Sequence, residues 1–193
     1  MPSQAATEKT KKFLRLYGLQ IARAIADTPL FFAGVVGQKC NESGYGTASM
    51  AVKYNNFGGI SGQPPEAISS YVSIGSDNKR HRWAIFATPE DCFRCYARVI
   101  TSMDRYSKAM QKTTPEAQIK AIVDAGYCAI DKNMPSSTYY VSRCQGAIDV
   151  ARQVVPIGTV TSANLNATIA SLQTNLGLPI PPPTNFWTGI FGG

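Results

Sequence analysis

Apolar residues recur at helical spacing in the first part of the chain, which predicts a helix over residues 4–26. A glycine at position 18 falls inside this pattern, and we expect the helix to break or bend there. The positions that carry the pattern are Phe13, Leu14, Tyr17, Ile21 and Ile25.

A second, almost entirely apolar segment follows. Asp27-Thr28-Pro29 has the form of a helix cap followed by proline at the first helical position, so a helix is predicted from Pro29 to about Glu42. A helix that is apolar on most sides is buried. Glu42 ends this helix, where the helix dipole is negative and opposes a carboxylate, and the turn Ser43-Gly44-Tyr45-Gly46 follows at once.

The later segments predict a small β-hairpin and further helices. Alternating apolar residues flank a turn over residues 75–78, which indicates a hairpin over 67–86. Three cap signals then open helices at Thr88-Pro89, Thr114-Pro115 and Ser136-Ser137. The predicted fold class is α+β, mainly α, with a helical domain and a small hairpin lobe.

The amino-acid composition changes after residue 157, where proline-rich and aromatic stretches follow the main helical pattern. One more helix is predicted within 159–175, followed by a polyproline II candidate at 178–183 and an aromatic end at 185–191. Exposed aromatic residues need cover, so we expect this tail to pack back or to dock on a partner protein through residues 178–193. The predicted segments are 1–28, a main domain over 29–157, and a helix with a docking tail over 158–193.

Composition supports a folded domain with an anionic partner. The 193 residues are 44% hydrophobic and 16% charged, with a net charge of +7. That charge favours acidic polymers, but the basic residues are scattered, so we do not expect a nucleic-acid partner. The longest apolar run is too short to span a bilayer, so no membrane insertion is expected. Because no secretory signal is visible, we expect delivery by an assembly, or a signal already removed.

The five cysteines do not predict a disulfide framework or a metal site. Their number is odd, and Cys92-x-x-Cys95 has neither a second cysteine pair nor a histidine pair, because His81 is the one histidine. Small buried thiols are the better interpretation. No metal and no cofactor is expected.

The strongest chemical signal is Glu42 with its glycine-rich turn and the loop Tyr54-Asn55-Asn56-Phe57-Gly58-Gly59-Ile60 downstream. One acid at the edge of a polar and aromatic groove is what glycoside cleavage needs for a general acid. The blander interpretations are a solvated helix end and an ordinary asparagine turn.

These motifs, taken in order, resemble glycoside hydrolase family 73 glucosaminidases over about residues 30–155. The matching pieces are Glu42–Gly46, Asn55–Ile60, Phe86–Glu90, Phe93–Tyr96, Arg105-Tyr106, Ala125-Gly126-Tyr127 and Ser137–Tyr140. The resemblance implies a lysozyme-like fold, peptidoglycan as substrate, and cleavage of the β-1,4 bond after N-acetylglucosamine. It also implies Glu42 as catalytic acid, Tyr127 opposite it in the cleft, and Tyr45, Asn56, Phe57 and Gly58 as substrate-binding residues.

Two departures from the family leave alternatives open. A second acid, often on the hairpin, is replaced here by Ser69-Ser70-Tyr71, and the nearby candidates are Glu66 and Asp77. With a single carboxylate, the substrate's acetamido group or an intramolecular attack giving an anhydro product takes the second role. The other departure is Cys128, where the family usually has another residue.

The predicted protein is therefore a peptidoglycan hydrolase that acts at the bacterial cell wall. A phage tail or a contractile injection device would explain its delivery. The alternatives are lytic transglycosylase cleavage, a catalytically inactive wall-binding or structural module, and, less favoured, a small basic nucleic-acid-binding protein.

Overall fold

The computed structural model describes residues 2–74, 78–128, 130 and 133–179. Within these residues the chain forms seven α-helices and one two-stranded antiparallel sheet, which confirms the predicted lysozyme-like fold class. The elements are α1 (Gln4–Ile25), α2 (Phe32–Glu42), α3 (Ser49–Tyr54), β1 (Ala67–Ile74), β2 (Arg80–Phe86), α4 (Pro89–Ser102), α5 (Pro115–Asp124), α6 (Ser137–Val154) and α7 (Leu165–Leu176).

Helix α1 runs through Gly18 without the predicted break. The glycine is there for packing, since a Cβ at this position would lie 2.9 Å from Leu172 Cδ2 of α7. Absence of a side chain at Gly18 thus lets α7 approach α1 closely. Tertiary packing has overridden the local helix-weakening tendency of glycine.

Helix α2 begins at Phe32 rather than at the predicted Pro29. The reason is that residues 29–31 bond to other parts of the chain: Gln118 donates to the Pro29 carbonyl at 2.8 Å and accepts from Phe31 N at 3.0 Å. Asp27, which belongs to the predicted cap motif, accepts from Ser162 N at 2.8 Å. Distant partners therefore hold this stretch extended in place of a first helical turn.

The hairpin and three helix starts match the predictions. Strands β1 and β2 pair with Tyr71 opposite Trp83, and a bulge lies between Ala67 and Ser69. Thr88 forms a capping box with Asp91 at the start of α4. Thr114 and Ser136 cap α5 and α6 through their side chains.

Helix α2 lies at the centre of the hydrophobic core and packs against α1, α5 and α6. Nine of its 11 residues are buried, so the predicted burial on most sides is confirmed. Phe13 of α1 and Leu172 of α7 belong to the same core. The core thus crosses the predicted segment boundaries at residues 28 and 158.

The thiols of Cys40, Cys92, Cys95 and Cys144 are buried, as predicted, whereas Cys128 is only partly buried. Burial raises the pKa of Cys92 to about 11, which keeps it protonated at neutral pH. Among the described residues no group of three His, Cys, Asp or Glu side chains is placed to hold a metal ion. No helix in the same part of the chain is long and apolar enough to cross a membrane.

Candidate active site

An open cleft of about 540 Å³ lies where α2 ends, between the hairpin side and the start of α6. It brings together Glu42, Gly58 and Tyr127 from three separate predicted motifs. Its lining residues are Asn41, Glu42, Gly58, Gly59, Trp83, Tyr127, Cys128, Met134, Tyr140 and Arg143.

Three donors converge on the Glu42 carboxylate. Lys39 Nζ lies 2.9 Å from Oε2, the Tyr127 hydroxyl donates to Oε2 at 3.0 Å, and the Tyr140 hydroxyl donates to Oε1 at 2.5 Å. A carboxylate has about four acceptor positions, so these bonds leave one open, on Oε1. That open position can hold the acid proton or meet a substrate oxygen.

Lys39 is the least expected member of this cluster. Its side chain is 0% exposed, and its ammonium lies 3.9 Å from the centroid of the Tyr96 ring. It also donates to the Tyr127 hydroxyl at 2.9 Å. Because Lys39 is in the last turn of α2, its charge offsets both the negative helix end and the Glu42 carboxylate. The unfavourable position of the Glu42 carboxylate at a negative helix end is thus compensated by a cation in the same helical turn.

The two tyrosines are held as neutral hydroxyl donors. Burial raises the pKa of Tyr127 well above its ordinary value, and the nearby Glu42 charge raises it further. The pKa of Tyr140 is raised by the same two causes in the same order. Since the ammonium of Lys39 occupies the Tyr127 oxygen as an acceptor, the Tyr127 proton is directed at Glu42.

The turn after Glu42 fixes the end of α2. The Ser43 hydroxyl donates to the Lys39 carbonyl at 2.5 Å and accepts from Gly46 N at 2.8 Å. Tyr45 has φ of +59° and packs partly buried against the core. Its side chain is not among those that line the cleft, so its expected contact with substrate has no counterpart in the geometry.

The Asn-Asn-Phe-Gly loop is built around buried side chains. Asn56 is 2% exposed, and its amide donates to the carbonyls of Ile60 and Ala84 at 2.9 and 3.0 Å. Phe57 is 1% exposed and packs against Tyr17 and other core rings. Both were expected to bind substrate; in the structure their side chains instead shape the loop from below.

Gly58 is the member of this loop that reaches the cleft. A Cβ there would lie 2.6 Å from Lys39 Nζ, 3.1 Å from Glu42 Oε2 and 3.3 Å from the Tyr127 hydroxyl. The absence of a side chain at Gly58 is therefore what allows the loop backbone to close over the acid cluster.

The two candidates for a second acid are placed differently. Glu66 accepts two hydrogen bonds from Arg98, at 2.6 and 2.9 Å, and this arginine holds the pKa of Glu66 below its ordinary value. Glu66 does not line the cleft. Asp77 lies outside the described residues. Of the cleft-lining residues the structure describes, Glu42 is the one carboxylate.

Sequence reasoning missed Lys39, Tyr140 and Arg143 as site residues, and favoured hairpin packing for Trp83. Lys39 had a readable signal, because it is a charge three residues before Glu42 in a mostly apolar helix. Tyr140 lies in the matching piece Ser137–Tyr140, but its contact with Glu42 spans 98 residues of sequence and could not be read from that piece. Trp83 both donates to Ser73 Oγ at 2.9 Å within the hairpin and lines the cleft.

Comparison with known proteins identifies the family. The glucosaminidase family model, described as mannosyl-glycoprotein endo-beta-N-acetylglucosaminidase, matches residues 22–153. The chain belongs to the glucosaminidase family. It is accordingly a glycoside hydrolase, and the resemblance drawn from its motifs is confirmed. No curated protein matches the chain.

Several solved structures share the fold. The glycoside hydrolase domain of Salmonella typhimurium FlgJ is 18% identical, with a TM-score of 0.58 over 86% of this chain and 98% of that one. A peptidoglycan hydrolase from Sphingomonas sp. A1 is 17% identical, with a TM-score of 0.56 over 84% and 94%. A type VI secretion system effector-immunity complex from Pseudomonas protegens is 20% identical, with a TM-score of 0.57 over 74% and 93%.

Proposed function

We propose that this glucosaminidase hydrolyses bacterial peptidoglycan at the β-1,4 bond between N-acetylglucosamine and N-acetylmuramic acid, with Glu42 as general acid. The observation that carries the proposal is the convergence of Lys39, Tyr127 and Tyr140 on one cleft carboxylate. The substrate assignment is supported by the family and by the shared fold with the Sphingomonas peptidoglycan hydrolase.

Glu42 protonates the leaving glycosidic oxygen from the open Oε1 position. The three donors then stabilise the carboxylate that proton transfer leaves behind, so their bonds strengthen as the bond breaks. Tyr127 and Tyr140 orient the carboxyl group from opposite oxygens, which fixes the direction in which the proton is delivered.

The second catalytic role falls to the substrate in this proposal. Since Glu42 is the one cleft carboxylate in the described part of the chain, the acetamido group of the sugar is the internal nucleophile. An attack by the substrate's own hydroxyl, giving an anhydro end, is the transglycosylase alternative.

Replacing Glu42 with glutamine tests the catalytic assignment. The amide keeps an acceptor for Lys39 but has no proton to deliver, so digestion of purified sacculi should fall by at least about a hundredfold. Circular dichroism and thermal melting verify that the variant is folded. Undiminished digestion by a folded Glu42→Gln variant refutes the role of Glu42.

A mass spectrum of the wild-type products identifies the bond and the outcome. Reducing N-acetylglucosamine ends support the proposal, and anhydro-muramic ends support transglycosylase cleavage. Binding to sacculi without new ends would support the inactive wall-binding module instead.

For delivery, we propose an assembly such as a phage tail or a contractile injection device, with residues 178–193 as the docking peptide. Support comes from the type VI effector neighbour and from the proline-rich, aromatic sequence, of which 180–193 lies outside the described residues. A chain ending at Pro179 keeps α7 and should digest sacculi normally but fail to join its assembly. Equal incorporation of both chains refutes the docking role.

A further inference from the structure

Arg143 is a cation at the cleft, and none of the described residues pairs with it. It is exposed on α6 and lines the cleft that holds Glu42. No hydrogen bond or ion pair joins it to another described residue. By contrast, Arg94, Arg98 and Arg152 all pair with glutamates at 2.5 to 2.6 Å.

The position of Arg143 is set by Tyr140. The two are three residues apart on α6 and share a helix face. Because the Tyr140 hydroxyl donates to Glu42, the helix places Arg143 about 4.5 Å further along its axis, beside the reacting region.

The charge balance of the cleft leaves the Arg143 charge available to substrate. Glu42 and Arg143 are the formally charged residues among the cleft-lining set of the described chain. Glu42 is already compensated by the buried Lys39 at 2.9 Å. A guanidinium is always protonated and its planar fork fits a carboxylate with two parallel hydrogen bonds.

We infer that Arg143 binds a carboxylate on the muramic acid side of the substrate and so determines specificity. This inference rests on the proposed function. N-acetylglucosamine is uncharged, whereas muramic acid carries a lactyl group that ends in a free carboxylate or in a peptide with its own carboxylates. The shared chemistry is the carboxylate, and the experiment separates its two sources.

The test measures the effect of changing the enzyme on substrates with and without carboxylates. Arg143→Gln and wild type are compared on peptide-free glycan strands, on strands that keep their peptides, and on both after chemical conversion of carboxylates to neutral amides. Arg152→Gln is the matched control, because it removes the same charge from the same helix outside the cleft. Thermal melting checks that each variant is folded.

We expect Arg143→Gln to lower kcat/KM on the carboxylate-bearing strands by about tenfold or more, mainly through KM. Amidation should slow wild type and Arg152→Gln by a similar factor but leave Arg143→Gln nearly unchanged. An effect confined to peptide-free strands assigns the lactyl carboxylate, and one confined to peptide-bearing strands assigns the peptide.

An equal loss on native and amidated strands, or no loss at all, overturns the role of Arg143 and leaves the proposed function standing. If wild type cleaves none of the native strands, the proposed function itself fails, and the inference fails with it. The two failures are therefore distinct.

Discussion

The buried pair of Lys39 and Glu42 provides a quantitative test of the site. Replacing Lys39 with methionine keeps the size and shape of the side chain but removes its ammonium. The Glu42 carboxylate then keeps the two tyrosine donors and loses the opposite charge 2.9 Å away. The variant should therefore be less stable and, because Glu42 Oε2 loses a restraint, less active.

The magnitude follows from burial. Removing one partner of a buried ion pair costs about 3–5 kcal/mol. The Glu42 side chain is 14% exposed and retains its tyrosine donors, which places Lys39→Met near the lower limit, at about 3 kcal/mol. With an m-value of about 2 kcal/mol/M, the urea midpoint should fall by about 1.5 M.

Lys120→Met is the control. Lys120 also meets a carboxylate, Asp124, at 2.7 Å, but the two side chains are 49% and 53% exposed. An exposed pair of this kind contributes less than about 1 kcal/mol, so the midpoint should move little. The comparison isolates burial from the mere presence of an ion pair.

A double-mutant cycle completes the test. Combining Lys39→Met with Glu42→Gln removes both charges, so the loss should be about 1–3 kcal/mol smaller than the sum of the two single losses. Urea unfolding followed by circular dichroism measures all four proteins. A Lys39→Met loss below about 1 kcal/mol, or strict additivity, would refute the reasoning.

Three further predictions concern the loop, the tyrosines and Glu66, the candidate second acid. Gly58→Ala should lower kcat at least about tenfold, because the added Cβ would intrude on Lys39 and Glu42. Gly146→Ala on α6 is the control and should leave kcat unchanged. Equal rates for the two variants would contradict the packing argument. Burial raises the pKa of Tyr127 and Tyr140, so these two tyrosines ionise first in the unfolded chain, and stability should fall by about 1.4 kcal/mol per pH unit for each of them above about pH 10. Urea unfolding at alkaline pH measures this slope, and an unchanged slope in the Tyr127→Phe, Tyr140→Phe double variant would contradict the prediction. Glu66→Gln should retain sacculus digestion and lower the free energy of unfolding by about 1 kcal/mol at neutral pH. Because Arg98 lowers the pKa of Glu66, this contribution is present above about pH 4 and disappears as the pH falls below it. Loss of digestion would instead make Glu66 the second acid.

Local sequence predicted most of the elements because their signals are local. The capping box at Thr88 and the caps at Thr114 and Ser136 depend on residues within one helical turn, and all three helices begin there. The predictions failed where distant residues intervene. Gln118 and Ser162 bond to Pro29 and Asp27, where a helix was predicted to begin, and Leu172 packs on Gly18.

The same distinction applies to the site. The motifs alone identified the family, the acid at the end of a buried helix and the glycine loop that follows it, because each of these is a run of consecutive residues. The residues around Glu42, by contrast, became known from the packing of the helices. Tyr140 and Arg143 come from a helix about a hundred residues away in the sequence. Lys39 is a buried partner of Glu42 because the folded helices enclose it. The side chains of Asn56 and Phe57 are buried beneath the loop and do not face the cleft. Charge compensation and burial are properties of packed neighbours, so no single stretch of sequence contains them.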